Sequence, residues 1–555
     1  MQDYRANITA AQRAYGTEAR HVEFPFNSIA ELLLTRGRDQ ADDVFLIFND
    51  EDGLRSELTY AEFHERCACT AAYMRELGLN PGDRIATAAH NHSDTIVQYF
   101  AAWALGLCVV PLNMGEDDAR LQYILENSGA RVLFCRQDYL ERVPHFRPAG
   151  SGLHVVPVYD QRREEDDFHF HVDRLEALEF MPTYDLDTEA LIVYTSGTTG
   201  KPKGVVLVQR NLMSDAQAIA EWHGIDADTR MMCVLPVHHV NGTIVTHVTP
   251  MFAGGSVVLN RKFSSSRFFR TIRVEGVNIV SVVPTLLAFL LETDTEAAGI
   301  HEAGFRHIIC GAGPLTCELA RRFETRFNIR IIHGYGLSES TCYSSFMPLD
   351  LSDAEFNTWR DDYGFPSIGL ALPNNEMAIH DAEGNSLPER ERGEIVIRGS
   401  NIMKEYYNNP EANADTFKHQ WFRSGDEGFF KLDDAGRAFY FITGRLKELI
   451  IRGGVNLAPL EIDEVLSAAP GVRAGICVGF DNDFYGEEVG ALVIPENDNV
   501  NAESIIQYCA GRLPFSKQPK VVLFSDELPV TSTGKYQRTR VRHLFNEWKA
   551  QQFKA

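Results

Sequence analysis

From about Thr59 onward the chain alternates short apolar runs with helix-like segments, a rhythm that restricts it to helix-covered, largely parallel sheets. Thr59 and Glu62 have capping-box spacing, and Phe63, Cys67 and Met74 then recur at roughly helical period until Gly78. Pro81, Gly82 and Asp83 make a turn into an apolar run from Arg84. A helix-like stretch over residues 94–105 leads to CVVPL at Cys108, residues 117–127 are again helical in character, and RVLFC at Arg131 reads as a strand. The same rhythm returns with GGSVVL at Gly254, NIVSVV at Asn278, RHIIC at Arg306 and IRIIHGYG at Ile329. The pattern predicts an α/β fold with two stacked α/β layers in roughly the first four hundred residues.

A chain of 555 residues is too long for one ordinary core, so two or more domains are expected. The character changes near residues 443–445, beyond which come a turn (RGGVNLAP), a helix from Pro459, strands at Ala474 and Val489 and a helix from Ala502. This predicts a large N-terminal domain over residues 1–446 and a small α+β domain over residues 447–555. No Gly/Ser linker separates them, so the junction is short and directional. The net charge of −24 argues against a nucleic-acid binder, while leaving room for a local basic patch around an anionic ligand. Ten cysteines occur without a CxxC pair, which points to neither zinc nor a disulfide framework and fits a reducing compartment. The start MQDYRANITAAQR lacks a signal-peptide core, and no apolar run approaches the ~20 residues that span a bilayer. The expectation is a cytoplasmic protein with no membrane span.

The chemistry is concentrated first in residues 194–204, YTSGTTGKPKG. The apolar LIVY reads as a buried strand. Thr195, Ser196, Gly197, Thr198, Thr199, Gly200 and Lys201 then supply hydroxyls, glycines and a cation in one turn, with Lys203 just beyond Pro202. Glycines admit backbone N–H groups to phosphate oxygens, and hydroxyls and lysine add donors and charge. The loop is not of P-loop type: only two residues separate Gly197 from Gly200 and Lys201, and Pro202 follows. Read alone, it could also be a flexible surface loop.

YTSGTTGKPKG resembles the signature of the adenylate-forming superfamily of acyl-CoA synthetases, peptide-synthetase adenylation domains and luciferases. Further motifs follow in the same order, and the pattern is most similar to acyl-CoA synthetases. Gly311, Ala312, Gly313 and Pro314 resemble the adenine-side strand end, and residues 333–339 (HGYGLSE) the nucleotide and magnesium motif. Residues 421–426 (WFRSGD) resemble the ribose motif. Residues 444–448 with Arg452, Gly453 and Gly454 resemble the hinge and thiolation loop, and residues 529–535 with Arg538 the C-terminal lysine motif.

The resemblance implies ATP, Mg²⁺ and CoA as co-substrates and cofactor. It assigns Thr195, Glu339 and Lys535 to catalysis. It assigns ATP binding to Thr195, Ser196, Gly197, Thr198, Thr199, Lys203, Gly311, Ala312, Gly313, Pro314, His333, Gly334, Tyr335, Gly336, Ser338, Asp426 and Arg445. Glu339 would hold the metal, a hard-oxygen ligand for a hard cation, and Asp426 offers two acceptors to ribose hydroxyls. Lys535 would reach into the large domain during adenylation, and Lys447 would be the hinge of a mobile small domain. Gly453 and Gly454 would then leave room for a pantetheine arm. Taken alone, Glu339 reads equally as a surface salt bridge, the RSGD turn as a turn, and Lys535 as solvated surface.

For the acid, the resemblance assigns His239 and Val240, in LPVHHVNG, with Gly311 and Gly336 to substrate binding. The adjacent histidines have no third metal ligand at usable spacing, and a structural role for them stays open beside a gating one. No Asp stands here to hold an amino group, and VPTLLAFLL over residues 283–291 carries no arginine. The expected acid is therefore uncharged and apolar, fatty or aryl. The expected reaction is ATP-dependent carboxylic acid:CoA ligation through acyl-AMP with release of pyrophosphate. The alternatives are an acyl-AMP ligase loading a carrier-protein pantetheine or an amine, a catalytically inactive nucleotide-binding regulator, and oxidative light emission. The reading leaves room for a homodimer.

Overall fold

The computed structural model describes residues 4–13, 24–160, 165–181, 185–195, 201–294, 296–497, 499–530 and 536–554. Its large N-terminal domain is built on three sheets and its smaller C-terminal domain on one. Five neighbouring strands of the seven-stranded sheet, in the order Glu189–Thr195, Cys108–Leu112, Arg84–Ala88, Val132–Arg136 and His154–Val158, run parallel. In the nine-stranded sheet the parallel run is Ile331–Tyr335, His307–Cys310, Ile279–Val282, Arg230–Cys233, Ser256–Asn260 and Val44–Asn49. Apart from the edge strand His154–Val158, these strands are largely buried on both faces, which is why they read as apolar runs rather than alternating ones. The predicted capping box is present: Glu62 N donates to Thr59 Oγ1, and Thr59 N to the Glu62 carboxylate, at the start of helix Tyr60–Glu76.

One large core joins the two parallel sheets. It takes Phe45 and Phe48 from one, Ile85, Val109 and Leu191 from the other, and Phe63, Phe100, Leu212 and Met213 from the helices. A second core holds Leu286, Leu287 and Leu290 of helix Pro284–Glu292 against Phe269 and Phe323. The small domain has its own core around Ile462, Leu466, Cys477 and Val493. Among the described residues, no helix is long and apolar enough to cross a membrane.

The third sheet of the large domain is not anticipated by the strand–helix rhythm. It is wholly antiparallel, in the order Asn375–His380, Gly393–Gly399, Phe422–Leu432 and Ala438–Arg445. Gly369 fastens it to the nine-stranded sheet. Its carbonyl accepts from Tyr440 N at 3.0 Å, and the next strand, Leu370–Ala371, pairs with Ser345–Phe346. Gly369 has φ 79°, and a Cβ there would lie 1.9 Å from the Phe346 carbonyl oxygen. Substitution Gly369→Ala combines a left-handed backbone with a backbone clash, so it is expected to cost at least about 2 kcal/mol. A lowered unfolding midpoint would register this, and an unchanged midpoint would contradict the close approach.

Candidate active site

The charged centre of the site rests on one strand pair. The antiparallel register of Phe422–Leu432 and Ala438–Arg445 sets Asp426 opposite Arg445, and a register shift between Glu427 and Gly428 bends the strand beside it. Asp426 is 1% exposed, and a carboxylate at that depth requires compensation. Tyr335 Oη donates to Asp426 Oδ2 at 2.6 Å, and Arg445 Nε stands 2.8 Å from Oδ1. This contact is an ion pair, and Oδ1 accepts no hydrogen bond among the described residues. A buried acceptor is thus left for a ligand hydroxyl. Burial and, after it, the Asp426 charge hold the Tyr335 phenol well above its ordinary range, which keeps it a donor. The carboxylate is aimed by its turn: Asp426 N donates to Ser424 Oγ at 3.0 Å and Gly425 N to Glu394 Oε1 at 2.8 Å.

Asp426 and Arg445 open into a cleft with an empty volume of about 1080 Å³. Its floor is Ala312, Gly313 and Pro314, which follow strand His307–Cys310, and His333, Gly334, Tyr335 and Gly336 at the end of Ile331–Tyr335. Carboxyl ends of neighbouring parallel strands are where open α/β sheets receive ligands. Ala312 holds φ 62°, a left-handed conformation uncommon for a residue with a Cβ. A Cβ on Gly336 would meet the Cys342 carbonyl oxygen at 2.0 Å, so this surface stays bare. Burial lowers the His333 imidazole to about 4, and its Nδ1 donates to the Ser367 carbonyl at 2.9 Å. His333 is therefore neutral.

The small domain closes the cleft with Glu448, Pro459, Leu460, Asp463, Glu464, Tyr536 and Arg538. Arg538 is held bidentately by Asp463, with Nη1 donating to Oδ1 at 3.1 Å and Nη2 paired with Oδ2, and Nη1 also reaches the Cys477 carbonyl at 2.9 Å. The bridge between Val530 and Tyr536, with Gln537 N donating to the Pro529 carbonyl at 2.8 Å, closes the base of the segment that contains Lys535. Lys535 itself lies outside the described residues, as do Ser196, Gly197, Thr198 and Thr199. Strands Glu189–Thr195 and Lys203–Val208, which flank residues 196–200 in the chain, are paired, with Thr195 facing Lys203.

Beside that hairpin, Tyr406 Oη donates to Glu339 Oε1 at 2.8 Å, and Lys203 Nζ lies 4.7 Å from the Tyr406 ring centre. Met403 N donates to the Glu339 carbonyl at 2.8 Å. Glu339, Lys203 and Thr195 are thus tied together through strand Glu405–Tyr406, but they do not line the cleft that holds Asp426. Ser338, Gly311, His239, Val240 and Lys447 do not line it either. Gly311 lies beneath the floor, where a Cβ would be 2.7 Å from the Tyr343 ring. Gly453 and Gly454, at φ 58° and 81°, form a tight turn between Ile450–Arg452 and Val455–Leu457, with nothing within 4 Å of their Cβ positions.

Sequence reasoning missed Asp463, Glu464, Tyr536 and Tyr406. Tyr536 could have been found as the neighbour of Lys535. Asp463 and Glu464 sit on an ordinary amphipathic helix, Pro459–Ser467, and carry no local signal.

Glu464 also joins the two domains. Both of its carboxylate oxygens accept from Cys317 N at 3.0 Å, at the first turn of helix Cys317–Phe327. Burial outweighs these bonds and pushes the Glu464 carboxyl from 4.5 up to about 8. The docked form therefore binds more protons than the undocked one. Docking is strongest below about pH 4.5, weakens as pH rises, and levels off above about 8. Hydrogen-exchange protection factors in the first turn of Cys317–Phe327 are expected to fall across that window and to become pH-independent in Glu464→Gln. An unchanged slope in the variant would remove Glu464 from this role.

Residues 34–407 match the AMP-binding enzyme family, and residues 461–535 match the AMP-binding enzyme C-terminal domain. The sulfoacetate–CoA ligase of Cupriavidus necator is 32% identical over 519 residues, covering 93% of this chain and 97% of that one. The feruloyl-CoA synthase of a Streptomyces species is 30% identical, over 88% and 94%. Among solved structures, ATP-bound MatB from Rhodopseudomonas palustris aligns with a TM-score of 0.81 at 27% identity, over 93% of this chain and 99% of that one. A benzoate CoA ligase from Burkholderia xenovorans LB400 shares the fold at 23% identity and a TM-score of 0.81, with the same coverage. The chain belongs to the AMP-binding enzyme family and is an adenylate-forming enzyme with a large N-terminal and a smaller C-terminal domain.

Proposed function

We propose that this chain is an ATP-dependent carboxylic acid:CoA ligase whose two half-reactions share the cleft between its domains. One observation carries the reading. A buried carboxylate with an open acceptor, Asp426, lies in the same cleft as Tyr536, the residue that follows Lys535. In the first step a carboxylate oxygen of the acid attacks the α-phosphorus of ATP, and the bond to pyrophosphate breaks with its electron pair on the leaving oxygen. Asp426 Oδ1 accepts from a ribose hydroxyl, and the bare floor at Gly334 and Gly336 lets the adenine lie close to the backbone. Thr195, Ser196, Gly197, Thr198, Thr199 and Lys203 hold the outer phosphates. Lys535 neutralises the α-phosphate and the incoming carboxylate.

Glu339 is the residue that would hold Mg²⁺. Its carboxylate is oriented by Tyr406, and no cluster of three protein ligands occurs among the described residues. That suits a cation which takes one or two carboxylates and completes its shell with phosphate oxygens and water. Bound there, it would neutralise phosphate charge.

In the second step a thiol attacks the acyl carbon and AMP departs. Lys447 serves as the hinge, so residues 1–446 and 447–555 move as two bodies, and the open turn at Gly453 and Gly454 admits the pantetheine arm. The acid is uncharged: Val240, Asn241, Cys310 and Tyr343, the side chains around Gly311 and the segment after His239, bear no fixed charge. Leu286, Leu287 and Leu290 pack the second core, so they do not describe the acyl tail.

Pyrophosphate release over a panel of carboxylic acids, with and without CoA, tests the reading. Release with acyl-CoA formation is expected. Release without a thioester would favour a carrier protein or amine as acceptor, and no release with any acid would leave a nucleotide-binding regulator. In Lys535→Ala, acyl-AMP formation is expected to fall by about two orders of magnitude or more, with thioester formation from supplied acyl-AMP within a few-fold of wild type. Gly454→Leu should show the reverse. Equal losses in both half-reactions would contradict two domain poses.

A further inference from the structure

Glu339 stands on the loop that joins strand Ile331–Tyr335 to strand Ser345–Phe346, and these two strands pair antiparallel. The loop makes the turn Ser338–Ser340 and then reverses at Thr341, which has φ 66° and ψ −62°. Cys342 N donates to the Ser340 carbonyl at 2.8 Å, so residues 340–342 form a γ-turn with a positive central φ. Such a turn is rare and strained, and a β-branched residue at its centre is an outlier. A glycine would take this conformation freely, yet the chain places a threonine there.

The strain is held from outside the loop. Thr341 is fully buried, and its Oγ1 donates to the Asn401 carbonyl at 2.6 Å. The Asn401 side chain, also fully buried, shares its two N–H groups among three acceptors. Its Nδ2 lies 3.1 Å from the Ser340 carbonyl, 2.9 Å from the Tyr343 carbonyl and 3.2 Å from Asp215 Oδ1. It thereby grips the chain on both sides of the kink. Two residues further along, Met403 N donates to the Glu339 carbonyl at 2.8 Å, and Tyr406 Oη donates to Glu339 Oε1 at 2.8 Å. Backbone and carboxylate of Glu339 are thus both met by residues 401–406, and Thr341 is where the loop is pinned to that segment by a side chain of its own.

We infer that Thr341 is a positioning residue for Glu339: its hydroxyl, bonded to Asn401, holds the strained turn that sets the Glu339 carboxylate in place for the metal. Strained conformers persist only where their surroundings over-determine them. Freed from the Asn401 carbonyl, residue 341 relaxes toward negative φ and the kink opens. Glu339, two residues earlier, then leaves the place where Tyr406 meets it. The hydroxyl carries this role, because Oγ1 makes the bond to the neighbouring segment while the β-branch only adds to the strain. Partners that orient a metal-holding carboxylate govern affinity without touching the metal. The inference rests on the reading of Glu339 as the residue that would hold Mg²⁺, and adds to it the residue that aims the carboxylate.

The test separates hydroxyl from shape in the full-length protein. Thr341→Val keeps the branched side chain and loses the hydroxyl, whereas Thr341→Ser keeps the hydroxyl and loses the methyl. Calorimetry with α,β-methylene-ATP, once with Mg²⁺ and once with EDTA, gives two Kd values and needs neither acid nor turnover. The ratio of the metal-free Kd to the Mg²⁺ Kd is expected to fall at least about tenfold in Thr341→Val, through the Mg²⁺ arm alone. In Thr341→Ser it is expected to stay near the wild-type value. AMP, whose binding asks nothing of the metal, is expected to bind wild type and both variants alike. An unchanged ratio in Thr341→Val, or a fall in Thr341→Ser as large as in Thr341→Val, would overturn the assignment. So would loss of AMP binding in Thr341→Val, which would make Thr341 a residue of the fold rather than of the metal carboxylate. A wild-type ratio of one would remove the metal role of Glu339 and the assignment with it. Pyrophosphate release is read separately, and its absence with every acid would overturn the ligase reading while the binding ratio still decides the role of Thr341.

Discussion

The site depends on a negative charge held almost entirely out of water. Asp426 could not sit 1% exposed without Arg445 opposite it and the Tyr335 hydroxyl on its other oxygen. Those partners come from different sheets: Arg445 from the antiparallel one, Tyr335 from the end of a parallel strand. Compensating the charge therefore ties the two sheets together at this point. Arg445 also lines the cleft beside Glu448, so the same pair borders the cleft mouth. One oxygen is left without a hydrogen bond, and that residual demand is what the site offers a ligand.

The same economy of contact recurs around the cleft. Gly311, Gly334, Gly336 and Gly369 are needed less for flexibility than for proximity, because carbonyls and rings already occupy the space of their missing side chains. The cleft floor and the sheet junction are thus two faces of one tightly packed region. Tyr343 borders this region: its backbone is bonded to Asp215 and Asn401, and its phenol lies against Gly311.

The small domain meets this region through groups that are otherwise costly to bury. Asp463 and Arg538 neutralise each other beside Tyr536, and Glu464 covers the amide at the start of a helix in the other domain. Contacts of this kind are sensitive to protons, because one of the groups involved is a buried carboxyl with a raised pKa.

Much of this was legible along the chain. The strands at Arg84, Cys108, Val132, Ser256, Ile279, His307 and Ile331 announced themselves because parallel strands buried on both faces must be apolar runs. Thr59 and Glu62 marked a helix start because a cap is a local contact. The motif residues were legible as types: glycines where backbone must approach a ligand, and acids or bases where charge must be met. The four-stranded sheet was not, since its half-exposed antiparallel strands lack a long apolar signature and its register is set by cross-strand partners and bulges. Nor were Asp463, Glu464 and Tyr406, whose surroundings come from distant segments. Sequence by itself determined the alternation of strands and helices and the inventory of chemical groups, which follow from local periodicity and spacing, and it carried the motifs whose resemblance points to the family. Only the tertiary structure decided that Asp426 keeps an open acceptor, that Glu464 spans the domains and that the Tyr343 ring fills the space beside Gly311. Burial, charge compensation and excluded volume are properties of what surrounds a residue, and those neighbours are brought together only by the fold.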